Sequence, residues 1–304
     1  MPCRRSNYIL HVVSADFYFE YASVCFVSTR TFDGVRRTVA SDRCVRIVIE
    51  DVLEIDIDDP TKDLHWNGPH LVGRGDDEIR FLFNREALEL HISFGEGVSH
   101  ARGTQLLLDW VIPYVLTTLG YLVLHATAVS IDGEAWGFIG MSGRGKSTMA
   151  VALATQGYPL VADDTFVLDR ERTTVLPSHP TARLLTDSMR SLIDSEAQSN
   201  DLKTILSQDD LRFQGASLPL GGLFLLNPPG ALMVGDSSAI DVPALLEQTY
   251  ILPGEGIAAG LDEVVRLVES NVVHTLTYPR NFSQLPEVTE LVLAFVHEKS
   301  EGSS

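Results

Sequence analysis

The nine residues Gly140-Met141-Ser142-Gly143-Arg144-Gly145-Lys146-Ser147-Thr148 satisfy the pattern Gly-x-x-x-x-Gly-Lys-Ser/Thr of a phosphate-binding loop. The chemistry behind that pattern is narrow. A nucleotide's phosphates need a ring of backbone N–H donors, and glycine lets the chain wrap closely enough to supply it. The helix that follows adds the positive end of its dipole. Lys146 then reaches the β- and γ-phosphates, and the Ser147 hydroxyl ligates Mg²⁺. The implied cofactors are ATP and Mg²⁺.

Three more side chains have spacings that bring them to this loop. Asp163 and Asp164 follow Lys146 by 17 and 18 residues, room for one helix, a glycine turn and one strand. A right-handed crossover makes that strand parallel to the one feeding the loop, with its carboxyl end at the same sheet edge. One carboxylate, with Asp163 the candidate, could bind the metal, and the other could accept a proton from an attacking hydroxyl. Neighbouring residues of a strand point to opposite faces, so the two share one role only if the strand has ended. His125 enters through a turn. Asp132-Gly133 joins two apolar runs and reads as a two-residue hairpin turn, which pairs Ile131 with Glu134. Counting back along both strands sets His125 opposite Gly140. There it could orient a carboxylate or donate to a phosphate oxygen; the plain alternative is a hydrogen-bonded histidine on a half-buried strand.

The elements that must hold these groups follow from pattern. Glu134–Ile139 reads as a short buried strand, and Ser147–Gln156 as a helix with Gly157 at its C′ position. Pro159–Ala162, Phe166–Leu168, Thr173–Leu176 and Leu218–Leu226 read as strands. Val242–Tyr250 and Gly260–Asn271 look like amphipathic helices. Asp194–Asp210 reads as an exposed acidic loop or partly ordered helix, and Glu298–Ser304 as a disordered tail. Upstream, Tyr8–Val13, Tyr18–Ser28, Arg46–Ile57 and Glu78–Phe94 are rich in β-branched and aromatic residues, with a hairpin around Asn84–Ala87. The organisation expected is a β-rich accessory or substrate-recognition domain over 1–98 and an ATP-binding catalytic domain over 99–304. A helix over Gly103–Leu119 opens the second part. The apolar stretch Leu106–Val129 is broken by Asp109, Pro113, Gly120 and His125, which suits a helix followed by a strand better than a membrane span.

Bulk properties narrow the partners. The chain has 304 residues, 45% of them hydrophobic, and a net charge of −18. That charge argues against nucleic acid and anionic membrane, which need a basic footprint. It also requires a nucleotide site to be locally positive, through Lys146, Arg144 and loop amides. Cys3, Cys25 and Cys44 are odd in number and lack Cys-x-x-Cys spacing. Reduced thiols in a cytoplasm are the simpler reading, with no disulfide framework or zinc site expected.

His125, the loop Gly140–Thr148 and Leu160-Val161-Ala162-Asp163-Asp164 together resemble the catalytic core of the HPr kinase/phosphorylase family. The resemblance covers residues 121–168. It implies an α/β fold with a P-loop-containing kinase core of the HPr kinase/phosphoenolpyruvate carboxykinase type; the β-rich N-terminal domain in front of it is read from the strand-forming residues of 1–98, which do not resemble that family's regulatory domain. It also implies Lys146 and Ser147 as the phosphate and Mg²⁺ contacts, and His125 with Asp163-Asp164 as the catalytic group, which of the two aspartates is the base being left open. The family's Glu-Ile-Arg-Gly-Leu-Gly segment is missing. Thr181–Asp187 occupies roughly that region, with Asp187 a candidate replacement for the family's metal-binding glutamate. The dephosphorylation segment is reduced to Tyr278-Pro279-Arg280-Asn281. The layout is more similar to HPr-kinase-related enzymes of lasso-peptide biosynthesis, which carry an Arg-Leu segment, here Arg183-Leu184, and a Leu-x-Tyr-Pro-Arg segment, here Leu276–Arg280. That likeness implies transfer to the C-terminal serine of a precursor peptide, with Arg183, Asp187 or Arg280 contacting substrate or phosphate. A kinase of a small-molecule alcohol such as free serine, and a non-catalytic nucleotide-sensing protein, stay as alternatives. A homo-oligomer is compatible with all three.

Overall fold

The computed structural model describes residues 17–32, 35–41, 44–54, 63–76, 78–178, 181–185, 203–206, 210–254 and 256–302. Within them the chain builds two mixed sheets bridged by a helical segment. The strand expected over Tyr8–Val13 lies outside the described residues.

The first sheet has eight strands in the order β3-β1-β2-β4-β8-β7-β6-β5. They are β1 (Phe17–Tyr21), β2 (Val24–Ser28), β3 (Arg36–Arg37), β4 (Cys44–Glu50), β5 (Leu64–Asn67), β6 (His70–Gly75), β7 (Ile79–Asn84) and β8 (Glu89–Phe94). The single strand expected over Tyr18–Ser28 is a hairpin. Tyr21 pairs with Val24, and Ala22 and Ser23 turn the chain at φ 49° and 58°. Two residues with positive φ make the tight turn, but neither is the glycine or asparagine that marks such turns in a sequence.

β2 runs parallel to β4, which sets Cys25 directly across from Cys44. The two are joined by a disulfide. The expectation of reduced thiols fails for this pair. Their spacing of 19 residues carries no motif; only the strand register brings them together.

The helical segment runs from α1 (His100–Leu106) through a π turn (Leu107–Val111) into α2 (Ile112–Thr118). Ser99 caps it by accepting from the Arg102 amide. Pro113 falls at the start of α2, where Ile112 still bonds back through the turn before it. The buried face Leu107, Leu108, Val111, Ile112, Val115 and Leu116 packs on Phe81, Phe83, Leu90 and Ile92 of the first sheet, in a core that also takes in Val123 and Val167. The apolar core therefore continues across residue 98.

The second sheet is nine-stranded, in the order β12-β10-β11-β17-β14-β13-β9, with β19 beside β17 and β18 beside β19. Its strands are β9 (Leu122–Leu124), β10 (Ala126–Ile131), β11 (Glu134–Ile139), β12 (Leu160–Ala162), β13 (Phe166–Leu168), β14 (Thr174–Leu176), β17 (Leu218–Leu226), β18 (Met233–Asp236) and β19 (Val273–Thr277). Ile131 pairs with Glu134 as the turn rule requires, and Asp132 and Gly133 take φ 51° and 84°. β12 lies antiparallel to β10, and β10 antiparallel to β11. β12 thus points the same way as β11 with one strand between them. β17 and β19 run that way too, so four strands end at one edge.

Alternation along these strands fills both faces. Phe138 and Phe224 join α3 (Lys146–Thr155) and α6 (Leu285–Gly302) on one side. Ile139 and Leu225 join α4 (Val242–Leu246) and α5 (Gly256–Glu269) on the other. Helix α6 overturns the expected disordered tail. Val288, Val292 and Val296 recur at helical spacing and are buried, which carries the helix on through Lys299 to Gly302. Part of the expected acidic loop is also ordered: β16 (Lys203–Leu206) pairs antiparallel with β15 (Ala182–Leu185). Among the described residues no helix is long and apolar enough to cross a membrane.

Candidate active site

The loop Gly140–Gly145 leaves the carboxyl end of β11 and opens α3. Gly145 is the N-cap, at φ 98°, so the first turn of the helix has no capping side chain. A side chain here would be strained by that φ and would also strike the Tyr278 hydroxyl. Lys146 is 6% exposed, and its ammonium donates to the Gly140 carbonyl at 2.8 Å. The N-terminal end of a ten-residue helix, a buried lysine and a glycine turn therefore meet at the carboxyl end of β11.

β12 ends at Ala162, just before the acidic pair. Asp164 then turns left-handed, at φ 60°. This is the ended strand that lets two consecutive carboxylates work on one side. Asp163 is buried and points at the loop. Its Oδ1 accepts from Ser147 Oγ at 2.9 Å and from Thr127 Oγ1 at 2.8 Å, and its Oδ2 accepts from the Arg183 amide at 2.8 Å. Burial, and then the charge of Asp164, push its carboxyl up to about 6 against those three hydrogen bonds.

Asp164 sits one step further out, in a different company. His125 Nε2 lies 3.7 Å from its Oδ1, and Arg183 Nη2 donates to its Oδ2. His125 falls between β9 and β10, just before the pair Ala126 and Ile139 that ends the hairpin ladder, and its amide donates to the Gln248 carbonyl at 2.7 Å. Arg183 comes from β15. Ala182 and Leu184, on either side of it, are buried in the core under α3, so the two-residue period turns Arg183 to the site. Its second arm donates to Asp109 Oδ2, on the π turn. Burial opposes the Arg183 charge, yet Asp109 and Asp164 together hold its guanidinium above the ordinary range.

The segment after β19 covers the loop from the other side. Tyr278 Oη donates to the Arg144 carbonyl at 2.8 Å, and Arg280 donates to the Gly143 carbonyl. Between this segment and the loop is a cavity of about 330 Å³, lined by Gly143, Arg144, Thr148, Pro279, Phe282 and Leu285 among others.

The fold thus gathers His125, Gly140–Thr148, Asp163, Asp164, Arg183 and Arg280 at one sheet edge. Met141 is half-exposed on the loop's outer rim. Asp187 lies outside the described residues. Thr127 and Asp109 are members of the site that the residue patterns did not single out. Thr127 lies on β10 two residues after His125, which precedes that strand. Asp109 gave only the signal of a lone acid inside an apolar helix.

The donor set fits a magnesium ion only together with a nucleotide. Among the described residues no group of three His, Cys, Asp or Glu could hold a metal by itself. Ser147 and Asp163, joined by a hydrogen bond, offer hard oxygens of the kind that Mg²⁺ takes alongside phosphate oxygens and water.

No family model and no curated protein matches the chain. Among solved structures it is similar to the HPr(Ser) kinase/phosphatase from Coxiella burnetii, at 13% sequence identity and a TM-score of 0.29, over 60% of this chain and 97% of that one.

Proposed function

We propose that the chain is an ATP-dependent phosphotransferase that acts on a hydroxyl, with a serine of a peptide as the acceptor. One observation carries this reading: a buried carboxylate bonded to the loop serine stands next in sequence to a second carboxylate facing His125 and Arg183. Phosphoryl transfer to an alcohol needs both carboxylates, in different roles. The loop amides and Lys146 hold the β- and γ-phosphates. Ser147 and Asp163 would hold Mg²⁺, which when bound offsets charge on the phosphate oxygens. Asp164 takes the proton of the attacking hydroxyl, whose oxygen bonds to the γ-phosphorus as the β–γ bridging oxygen leaves with ADP. His125 and Arg183 fix the Asp164 carboxylate against rotation. The cavity beside Tyr278 and Pro279 takes the nucleoside end.

The acidic chain, with its net charge of −18, favours a peptide acceptor carrying basic residues over a free anion such as a small carboxylic acid. The C-terminal serine of a precursor peptide is the acceptor implied by the resemblance of the Arg183-Leu184 and Leu276–Arg280 segments to those of lasso-peptide kinases. The test is ADP release and product mass with MgATP against serine-containing peptides, free serine and simple alcohols. A peptide heavier by one phosphate is the expected result. ADP release that no acceptor stimulates, with no phosphorylated product, contradicts the reading.

A further inference from the structure

Asp109 lies 74 residues from Arg183 and belongs to the segment that packs on the first sheet. It is nevertheless bonded to the arginine that holds Asp164. Its placement is unusually determined. The π turn Leu107–Val111 interrupts the α-helical hydrogen-bond ladder, and Pro113, four residues after Asp109, has no N–H to give to the Asp109 carbonyl. Two tyrosines from other elements bond to carbonyls here. Tyr250 Oη donates to the Asp109 carbonyl at 3.0 Å, and Tyr21 Oη, from β1 of the first sheet, reaches the Leu108 carbonyl at 3.5 Å. Tyr21 is fully buried and Tyr250 largely so, and burial holds both phenols above their ordinary range. The Asp109 carboxylate is thus presented to Arg183 by a turn pinned from two sides.

We propose that Asp109 is a positioning residue for the phosphotransfer site: it fixes Arg183, and through it the Asp164 carboxylate, so that the first sheet and its helix form part of the catalytic architecture. The effect on rate rests on the phosphotransferase reading; the tether itself does not. One Arg183 arm pulls on Asp164 while the other is anchored, which leaves the carboxylate a single orientation toward His125. Without Asp109 the guanidinium has one partner and can swing with it.

Asp109→Asn keeps the shape of the side chain and removes its charge. The expected result is a fall in kcat of about tenfold or more with the KM for MgATP within about threefold, since interactions made around the acceptor side leave nucleotide binding intact. In an Arg183→Gln background the same change should add nothing, as expected for residues acting as one unit. A second readout needs no turnover. Hydrogen exchange at the amides of residues 182–185 should speed up about tenfold in Asp109→Asn, because the Arg183 amide donates to Asp163 and the strand is held at that point. Tyr250→Phe, which leaves every charge in place, serves if Asp109→Asn does not fold; it should lower kcat and speed the same exchange in the same direction. Wild-type kcat and wild-type exchange in the folded variant overturn the proposal. Should the unaltered protein transfer no phosphate to any acceptor, the phosphotransferase reading fails, and the exchange measurement alone decides the tether: faster exchange supports it, unchanged exchange overturns it.

Discussion

Ser147 Oγ donates to Asp163 Oδ1 at 2.9 Å, across 16 residues of chain. That bond closes a crossover of one helix and one strand, and it ties the loop serine to the first of two consecutive carboxylates. Its neighbour Asp164 is left to His125 and Arg183. The proposed assignment of one carboxylate to the metal side and the other to the acceptor side rests on this division.

Asp163 makes stability depend on pH in a stated direction. Its folded value of about 6 lies above the unfolded 3.8, so the folded state binds more protons between the two. Stability is therefore lost as pH rises through that window. Measured without metal, the unfolding free energy of the wild type relative to Asp163→Asn should fall between about pH 4 and 6, by on the order of 1–3 kcal/mol. A difference that stays flat over that range contradicts the burial of this carboxyl.

Thr127 is fully buried and gives its hydroxyl to Asp163. Thr127→Val keeps the shape and removes the donor. The cost should be about 1.5–3 kcal/mol at pH 8, where the carboxylate is charged, and less at pH 5. Denaturant melts at the two pH values check this; equal losses at both would detach Thr127 from the charge.

Gly145→Ala meets two separate obstacles, a φ of 98° and the Tyr278 hydroxyl. The substitution should weaken MgATP binding about tenfold or more, with about 1–2 kcal/mol of lost stability from the left-handed backbone alone. Adding Tyr278→Phe removes the collision and leaves the backbone strain. Partial recovery of affinity in the double variant is expected, and calorimetric titration reads it. Undiminished affinity in Gly145→Ala would mean that the loop does not hold the nucleotide.

The legible parts of the site were those fixed by local rules. The glycine pattern located the loop. The turn Asp132-Gly133 set the hairpin register, and the gap from Lys146 to Asp163 set the direction of β12. What stayed hidden depends on contacts between distant segments. No spacing connects Asp109 to Arg183, because the bond needs both the π turn and the pairing of β15 with β16. The Cys25–Cys44 bond was hidden for the same reason, since parallel strands leave no trace in sequence spacing. Elsewhere the local signal is present in the sequence. The valines at 288, 292 and 296 already describe a helix, and the charged residues after them continue it. The turn at Ala22-Ser23 lacked the glycine that would have split one strand into two.

The most direct test compares wild type with Asp164→Asn in a single turnover of γ-labelled ATP with a serine peptide, alongside nucleotide affinity. Transfer of label should slow by about 10²–10⁴-fold, the usual worth of a general base, while MgATP affinity changes little. Equal transfer rates in the two proteins would contradict the role given to Asp164, and with it the division of labour between the paired carboxylates.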